Sequence, residues 1–263
     1  MAATHLERIV AGVREDLEAR KAAAAFPEVA ARARANGSRR DIRARLGDGP
    51  GIIAEIKRAS PSRGWIRKEL DAARTASAYA RAGACAISVL TERRRFGGSL
   101  ADLEAASLAS GDVPVLRKDF ILDEYMLAES RAFGADLALL MVSVLGEGTG
   151  EMAGLARRYG LEPLVEVHDE AEMAVAAASG AAVIGINNRD LATLRVDLSV
   201  AERLLPLAPP GTIKVVESGI SRPEEIARFR ALGADAFLVG EALVGSADPG
   251  DAVRRLTGRE AGP

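Results

Sequence analysis

A glycine–alanine step that opens an apolar run recurs four times along this chain, and the recurrence limits the fold more than any other feature. It appears in AGACAISVL around Gly83, FGADLALLMV around Gly134, SGAAVIGI around Gly180 and LGADAFLVG around Gly233, at spacings of 51, 46 and 53 residues. About midway between lie four further apolar runs entered through Pro or Gly: PGIIAEI from Pro50, VPVLRKDF from Val113, EPLVEVH from Glu162 and GTIKVVESG from Gly211. Each run has the length of a strand. The stretches between them, such as DAARTASAYARAG and RPEEIARFRALG, are rich in Ala, Leu, Glu and Arg and end on a glycine suited to a helix C-cap. Strands apolar along their whole length are buried on both faces, which means a parallel sheet. Eight strand–helix units starting near residue 50 predict a single α/β domain over 1–263, a (β/α)8 TIM barrel. Residues 1–48, containing LERIVAGVREDLEARKA, are expected to form an N-terminal helical extension packed on that barrel.

Composition excludes several classes of function. The 263 residues carry 35 basic and 37 acidic side chains, a net charge of −2 without the basic surplus of a nucleic-acid binder. No apolar run approaches the ~18 residues of a membrane span. The opening MAATHLERIV has charges where a signal peptide needs an apolar stretch. Cys85 is the single cysteine, and His5 and His168 are the two histidines, too few for a disulfide, a cysteine knuckle or a histidine metal site. The expectation is a cytoplasmic protein, a monomer or weak homo-oligomer. Arginine dominates the basic residues, and only Lys21, Lys57, Lys68, Lys118 and Lys214 are lysines. A lysine retained inside an apolar run suggests a need for a compact ammonium that can give up its proton, as arginine cannot.

One motif competes with a barrel. LGEGTGEMAG after the fourth strand satisfies G-x-G-x-x-A through Gly148, Gly150 and Ala153, with Glu166 18 residues beyond Gly148. A dinucleotide fingerprint has that form, but it belongs in a first unit rather than a fourth. A flexible loop is the default expectation there.

In a barrel, alternate strand residues point inward and chemistry gathers at the strands' C-terminal ends. Here those ends turn polar together. Glu55 and Lys57 share a face, as do Glu166 and His168; Lys118, Asn187, Arg189 and Glu217 stand at the ends of three other strands. Such a layer could merely close the barrel with buried ion pairs, yet so many polar strand ends at one mouth favour general acid–base chemistry. Two glycine turns, ESGI with Ser218 and Gly219, and VGEAL with Gly240 and Glu241, follow the seventh and eighth strands. Loops in those positions hold phosphate in many barrels.

Seven segments carry a family resemblance: GIIAEIKRASPSRG, VLTERRRFGGS, PVLRKDFI, LVEVHDEAE, GINNRDL, ESGI and FLVGEAL. In this order and over nearly the whole chain, they resemble indole-3-glycerol-phosphate synthase. The resemblance implies ring closure, decarboxylation and dehydration of 1-(2-carboxyphenylamino)-1-deoxy-D-ribulose 5-phosphate, without metal or organic cofactor. It makes Lys118 the acid for ring closure, with Glu55 expected as its carboxylate partner. Glu166 and Lys57 match the dehydration pair, and Asn187 and Glu217 would orient hydroxyls and lysines. Ser60, Arg189, Ser218, Gly219, Gly240 and Glu241 fall at the substrate and phosphate end. Phe96, Phe120, Leu139 and Leu191 would wall the anthranilate ring. Three positions depart from the family pattern: the glycine-rich EGTGE, Glu241 and Trp65. The alternatives are another sugar-phosphate barrel enzyme such as an isomerase, which would release no CO2, and a non-catalytic ligand-binding barrel. The segment RASPSRGWIRKE at 58–69 reads as a cation-rich loop over the mouth, in turn chemistry rather than strand or helix.

Overall fold

The computed structural model describes residues 4–37, 39–47 and 49–258. Eight parallel strands form a closed barrel: β1 (Gly51–Ile56), β2 (Ala86–Leu90), β3 (Val115–Lys118), β4 (Leu137–Met141), β5 (Glu162–Val167), β6 (Val183–Asn187), β7 (Ile213–Glu217) and β8 (Ala236–Val239). Each strand pairs with its sequence neighbours, and β8 closes on β1 with Gly51 opposite Ala236 and Ala54 opposite Val239. The fold is a TIM barrel, as the spacing of apolar runs predicts.

The recurring glycine acts at each helix-to-strand joint. Gly83, Gly134, Gly180 and Gly233 all have left-handed backbone, with φ of 88°, 87°, 64° and 93°. That conformation ends the helix: Ala84 donates to Tyr79 O at 3.1 Å, and Ala234 donates to Phe229 O at 3.0 Å. These are the wide hydrogen bonds of a Schellman motif. The following alanine then enters the next strand without crowding the turn.

Ahead of the barrel stand α1 (His5–Ala23) and α2 (Phe26–Ala35), and α2 packs against helix Glu124–Ala132. Ile9, Val13 and Leu17 of α1 and Val29 and Ala33 of α2 are buried in the continuous core. Arg40 anchors the connection to β1, pairing with buried Asp136 at 2.7 Å, while Asp136 also accepts from Val115 N at 2.9 Å.

Two local expectations are corrected. LGEGTGEMAG is not a loop: Val142–Leu145 is helical, Gly146–Gly148 is a 3-10 turn and Thr149–Arg158 is an α-helix. The Thr149 hydroxyl donates to Gly146 O at 2.7 Å and ties the turn to the helix, so glycine content alone misjudged the segment. In the closed parallel ring, this turn is one of eight equivalent strand-to-helix joints rather than a dinucleotide crevice. Within 58–69, Ala59–Ser60 and Gly64–Trp65 pair as a small antiparallel ribbon. Its Arg58 is fixed by Asp102 at 2.5 Å, and Trp65 remains 56% exposed.

Candidate active site

A cavity of about 480 Å³ opens at the C-terminal ends of the strands, and every residue singled out above as catalytic or substrate-binding lines it. The charged residues occupy its floor in two groups. Lys57 Nζ lies 2.8 Å from Glu55 Oε1. Lys118 Nζ lies 2.9 Å from Glu166 Oε2 and 3.1 Å from Glu217 Oε2. Glu55 is therefore the contact partner of Lys57, not of Lys118 as expected. The strand stagger that closes the ring sets this pairing, because it brings β5 and β7 side chains across to β3.

Glycines make room for these charges. A Cβ on Gly185 of β6 would stand 2.3 Å from Glu217 Oε1, and one on Gly240 would stand 2.3 Å from Glu55 Oε1 and 3.0 Å from Lys57 Nζ. Behind the floor, the residue that precedes Lys118 on β3 points outward. Arg117 is fully buried and binds Asp119 at 3.0 Å, Glu129 at 2.9 Å and Thr91 Oγ1 at 3.0 Å. This network pins the strand that presents Lys118.

Burial and mutual charge set the protonation of the floor. Burial disfavours the Lys118 ammonium, but Glu166, Glu217 and Glu55 outweigh it and hold its pKa above the ordinary lysine value. Burial pushes the Glu217 carboxyl up to about 8; Lys118 opposes that rise and neighbouring Glu166 adds to it. Burial also works against Glu166, yet Lys118 and His168 overcome it and bring that carboxyl down to about 2. Two adjacent carboxyls pushed apart in this way supply one proton holder and one carboxylate.

One wall is apolar and the opposite end is basic. Phe96 and Phe120 meet at 6.4 Å between ring centroids, beside Leu139 and Leu191. Phe96 is held at the end of a single helical turn, Arg93–Phe96, in which the amides of Arg94, Arg95 and Phe96 itself donate to the Glu92 carboxylate. At the other end the left-handed pair Ser218 (φ 65°) and Gly219 (φ 83°) bends the chain after β7. Arg189 donates its backbone N–H to Asn187 Oδ1 at 3.0 Å, and its guanidinium reaches to 3.9 Å from Glu241. Glu241 is also paired with Arg63 of the ribbon at 3.2 Å. Buried Ser60 accepts from Arg63 N at 3.3 Å.

The family model for indole-3-glycerol phosphate synthase matches residues 6–256. The chain belongs to this family. Similar relatives include the indole-3-glycerol phosphate synthases of Nocardioides sp., 49% identical over 97% of this chain and 98% of theirs, and of Streptomyces griseus subsp. griseus, 47% identical over 98% and 96%. Among solved structures, 3-hexulose-6-phosphate synthase from Salmonella typhimurium has a TM-score of 0.62 at 16% identity, covering 80% of this chain and 97% of that one. Thiamine phosphate pyrophosphorylase from Pyrococcus furiosus has a TM-score of 0.59 at 17% identity over 82% and 96%. At such identities these two speak for the barrel alone. Indole-3-glycerol phosphate synthases are carboxy-lyases of tryptophan biosynthesis, and this chain is an enzyme of that family.

Several residues of this synthase-family cavity escaped the sequence reading. Leu6 and Ile9 of α1 reach its wall, and Val196 and Ser221 reach its rim, whereas Arg63, also at the rim, belongs to the cation-rich loop expected over the mouth. Nothing in α1 beyond its apolar stripe could have announced that it covers the mouth. His168 was visible as sharing a face with Glu166, and the structure sets its Nε2 3.4 Å from Glu166 Oε1. Among the described residues, no helix is long and apolar enough to cross a membrane.

Proposed function

We propose that the chain, acting as one domain, converts 1-(2-carboxyphenylamino)-1-deoxy-D-ribulose 5-phosphate to indole-3-glycerol phosphate, CO2 and water. The observation that carries this reading is the Lys118 ammonium, held between the buried carboxyl groups of Glu166 and Glu217 and facing a cavity with an aromatic wall. In the first step the anthranilate ring carbon attacks the ribulose carbonyl while Lys118 protonates the carbonyl oxygen. The new carbon–carbon bond leaves an electron sink inside the substrate, so the carboxylate departs as CO2 without need of a metal or cofactor. Dehydration then requires a proton delivered to the departing hydroxyl, the task given to Glu166, and a second proton removed, with Lys57 and its partner Glu55 beside it. Asn187 and Glu217 orient the hydroxyls and Lys118. Phe96, Phe120, Leu139 and Leu191 take the anthranilate ring, which is flat and apolar as that wall is. Arg189, Ser60, Ser218, Gly219 and Gly240 take the phosphate end, and Arg63 and Arg189 exchange Glu241 for the phosphate dianion.

The test is an assay for indole absorbance and released CO2 from that substrate, without added metal. Both signals are expected in equal amounts; consumption of substrate without CO2 would turn the reading toward an isomerase. Lys118→Arg keeps the charge but loses a compact acid. Turnover is expected to fall about 10²-fold or more with the fold intact by circular dichroism. Near-normal turnover would remove Lys118 from the acid role.

A further inference from the structure

Two buried polar atoms face one another behind the floor of the cavity, and neither has a hydrogen-bond partner. Glu166 Oε2 is taken by Lys118, but Oε1 is unpaired; His168 Nε2, 3.4 Å away, is unpaired too. Leaving both without a proton between them would cost each the desolvation of a buried, unsatisfied polar group. A single proton satisfies both at once, as imidazolium against carboxylate or as carboxylic acid against neutral imidazole.

The other ring nitrogen shows which proton can move. Glu172 Oε2 accepts the backbone N–H of His168 at 2.7 Å and lies 3.0 Å from Nδ1. Glu172 is itself held in the first turn of helix Glu170–Ala178, where its amide donates to Asp169 at 2.8 Å. With Nδ1–H directed at Glu172, the exchangeable proton belongs to Nε2. A carboxylate orienting a histidine whose far nitrogen does the chemistry is a recurrent device.

We infer that His168 is a relay that returns protons from solvent to Glu166, acting behind the carboxylate and never on the substrate. Its place fits the task. The His168 side chain is 16% exposed whereas that of Glu166 is 1% exposed, and the imidazole does not line the cavity. A substrate filling the cavity would cut Glu166 off from water on that side and leave the imidazole edge open on the other. The charged groups facing the ring are Glu166 on its own strand, Glu172 on the following helix, Glu217 on β7 and Asp190 in the loop after β6. All are acidic. Burial opposes a charged imidazole, yet these carboxylates hold its pKa above the ordinary histidine value.

The proton balance closes over one turnover. Glu166 rests as a carboxylate; it takes the Nε2 proton of the imidazolium and passes it to the departing hydroxyl, which leaves as water. The Glu166 carboxylate is thereby restored, and the neutral imidazole, still bonded to Glu172 through Nδ1, takes a proton from solvent. This inference rests on the reading of Glu166 as dehydration acid.

The experiment uses the full chain with His168→Gln, His168→Ala and, as a control on the underlying reading, Glu166→Gln. Gln at 168 can still donate an amide hydrogen toward Glu166 but cannot titrate. Single-turnover measurement with enzyme in excess is expected to show the chemical rate reduced about 10-fold or more in His168→Gln, with KM changed less than about 2-fold. Added imidazole should restore the rate of His168→Ala in proportion to its protonated fraction. A merely structural histidine would show neither the KM-against-rate split nor the rescue. An unchanged rate and pH profile in His168→Gln, while Glu166→Gln is slow, overturns the relay alone. A normal rate in Glu166→Gln instead overturns the acid assignment, and the relay with it. Should the His168 variants fail to fold, proton NMR of the two histidines decides: the His168 midpoint is expected to fall in Glu166→Gln, and an unmoved midpoint overturns the relay.

Discussion

Glu217 shows how one proton can govern the whole floor. Its carboxyl is raised to about 8 chiefly by burial, against the pull of Lys118 and with the push of Glu166. At pH 7 it is therefore mostly protonated, and it ionises as pH climbs through about 8. The new charge lies 3.1 Å from the Lys118 ammonium and strengthens its hold on the proton that ring closure needs. Turnover is expected to decline on the alkaline side with a midpoint near 8, and Glu217→Gln should flatten that limb in a pH–rate profile. Stability follows the same sign. A pKa raised above the ordinary 4.5 contributes stability that is fully present below that value and is lost as pH rises through about 8. The thermal midpoint should fall between pH 6 and 9, and fall less in Glu217→Gln; equal slopes would remove Glu217 from this role.

The strands that carry these groups depend on what they omit. Gly185 leaves the space that Glu217 and Leu164 occupy, where a Cβ would come within 2.3 and 2.7 Å of them. Gly185→Ala is expected to cost about 1–3 kcal/mol by overpacking and to lower turnover by displacing Glu217. Urea unfolding and a kinetic assay would read the two effects separately. The strands themselves were legible because their cues are local: an apolar run, and before it a glycine that ends the preceding helix. The inward charges were legible too, since Glu55 with Lys57 and Glu166 with His168 need only a spacing of two. Pairing was not. Glu55 looked a fair partner for Lys118, but which inward side chains meet is decided by strand stagger around the ring, which no single segment records. The helical turn after β4 was hidden for the converse reason, as the Thr149 bond overrides the looseness of its glycines. The buried Arg117 network was invisible because its partners lie on three separate elements.

Taken whole, the barrel borrows part of its mouth from outside the ring. Leu6 and Ile9 of α1 line the cavity, and Arg94 from the segment after β2 ties the helix down through Glu15 and Asp16, each at 2.7 Å. Those pairs lie at the surface and are screened by solvent, so Arg94→Ala should leave stability nearly unchanged. It should raise KM more than it lowers kcat, because it loosens a wall and leaves the proton donors in place; the opposite split would detach α1 from binding. The closure of the ring has a consequence for how the chain is made. β1 pairs with β2 on one side, but its other edge waits for β8, with Gly51 opposite Ala236 at the seam. At typical rates of synthesis, that wait lasts roughly 10–40 s. During it, Ile52, Ile53 and Ile56 form an open edge of the kind that recruits other chains. A nascent chain arrested before Ala236 should stay open to protease near β1, and one extended past Val239 should become resistant. Charges in and beside an apolar strand are the usual guard against misassociation; Glu55 lies within β1 and Lys57 directly after it, so the pair placed at the floor for chemistry is expected also to shield the newborn strand until its last neighbour arrives.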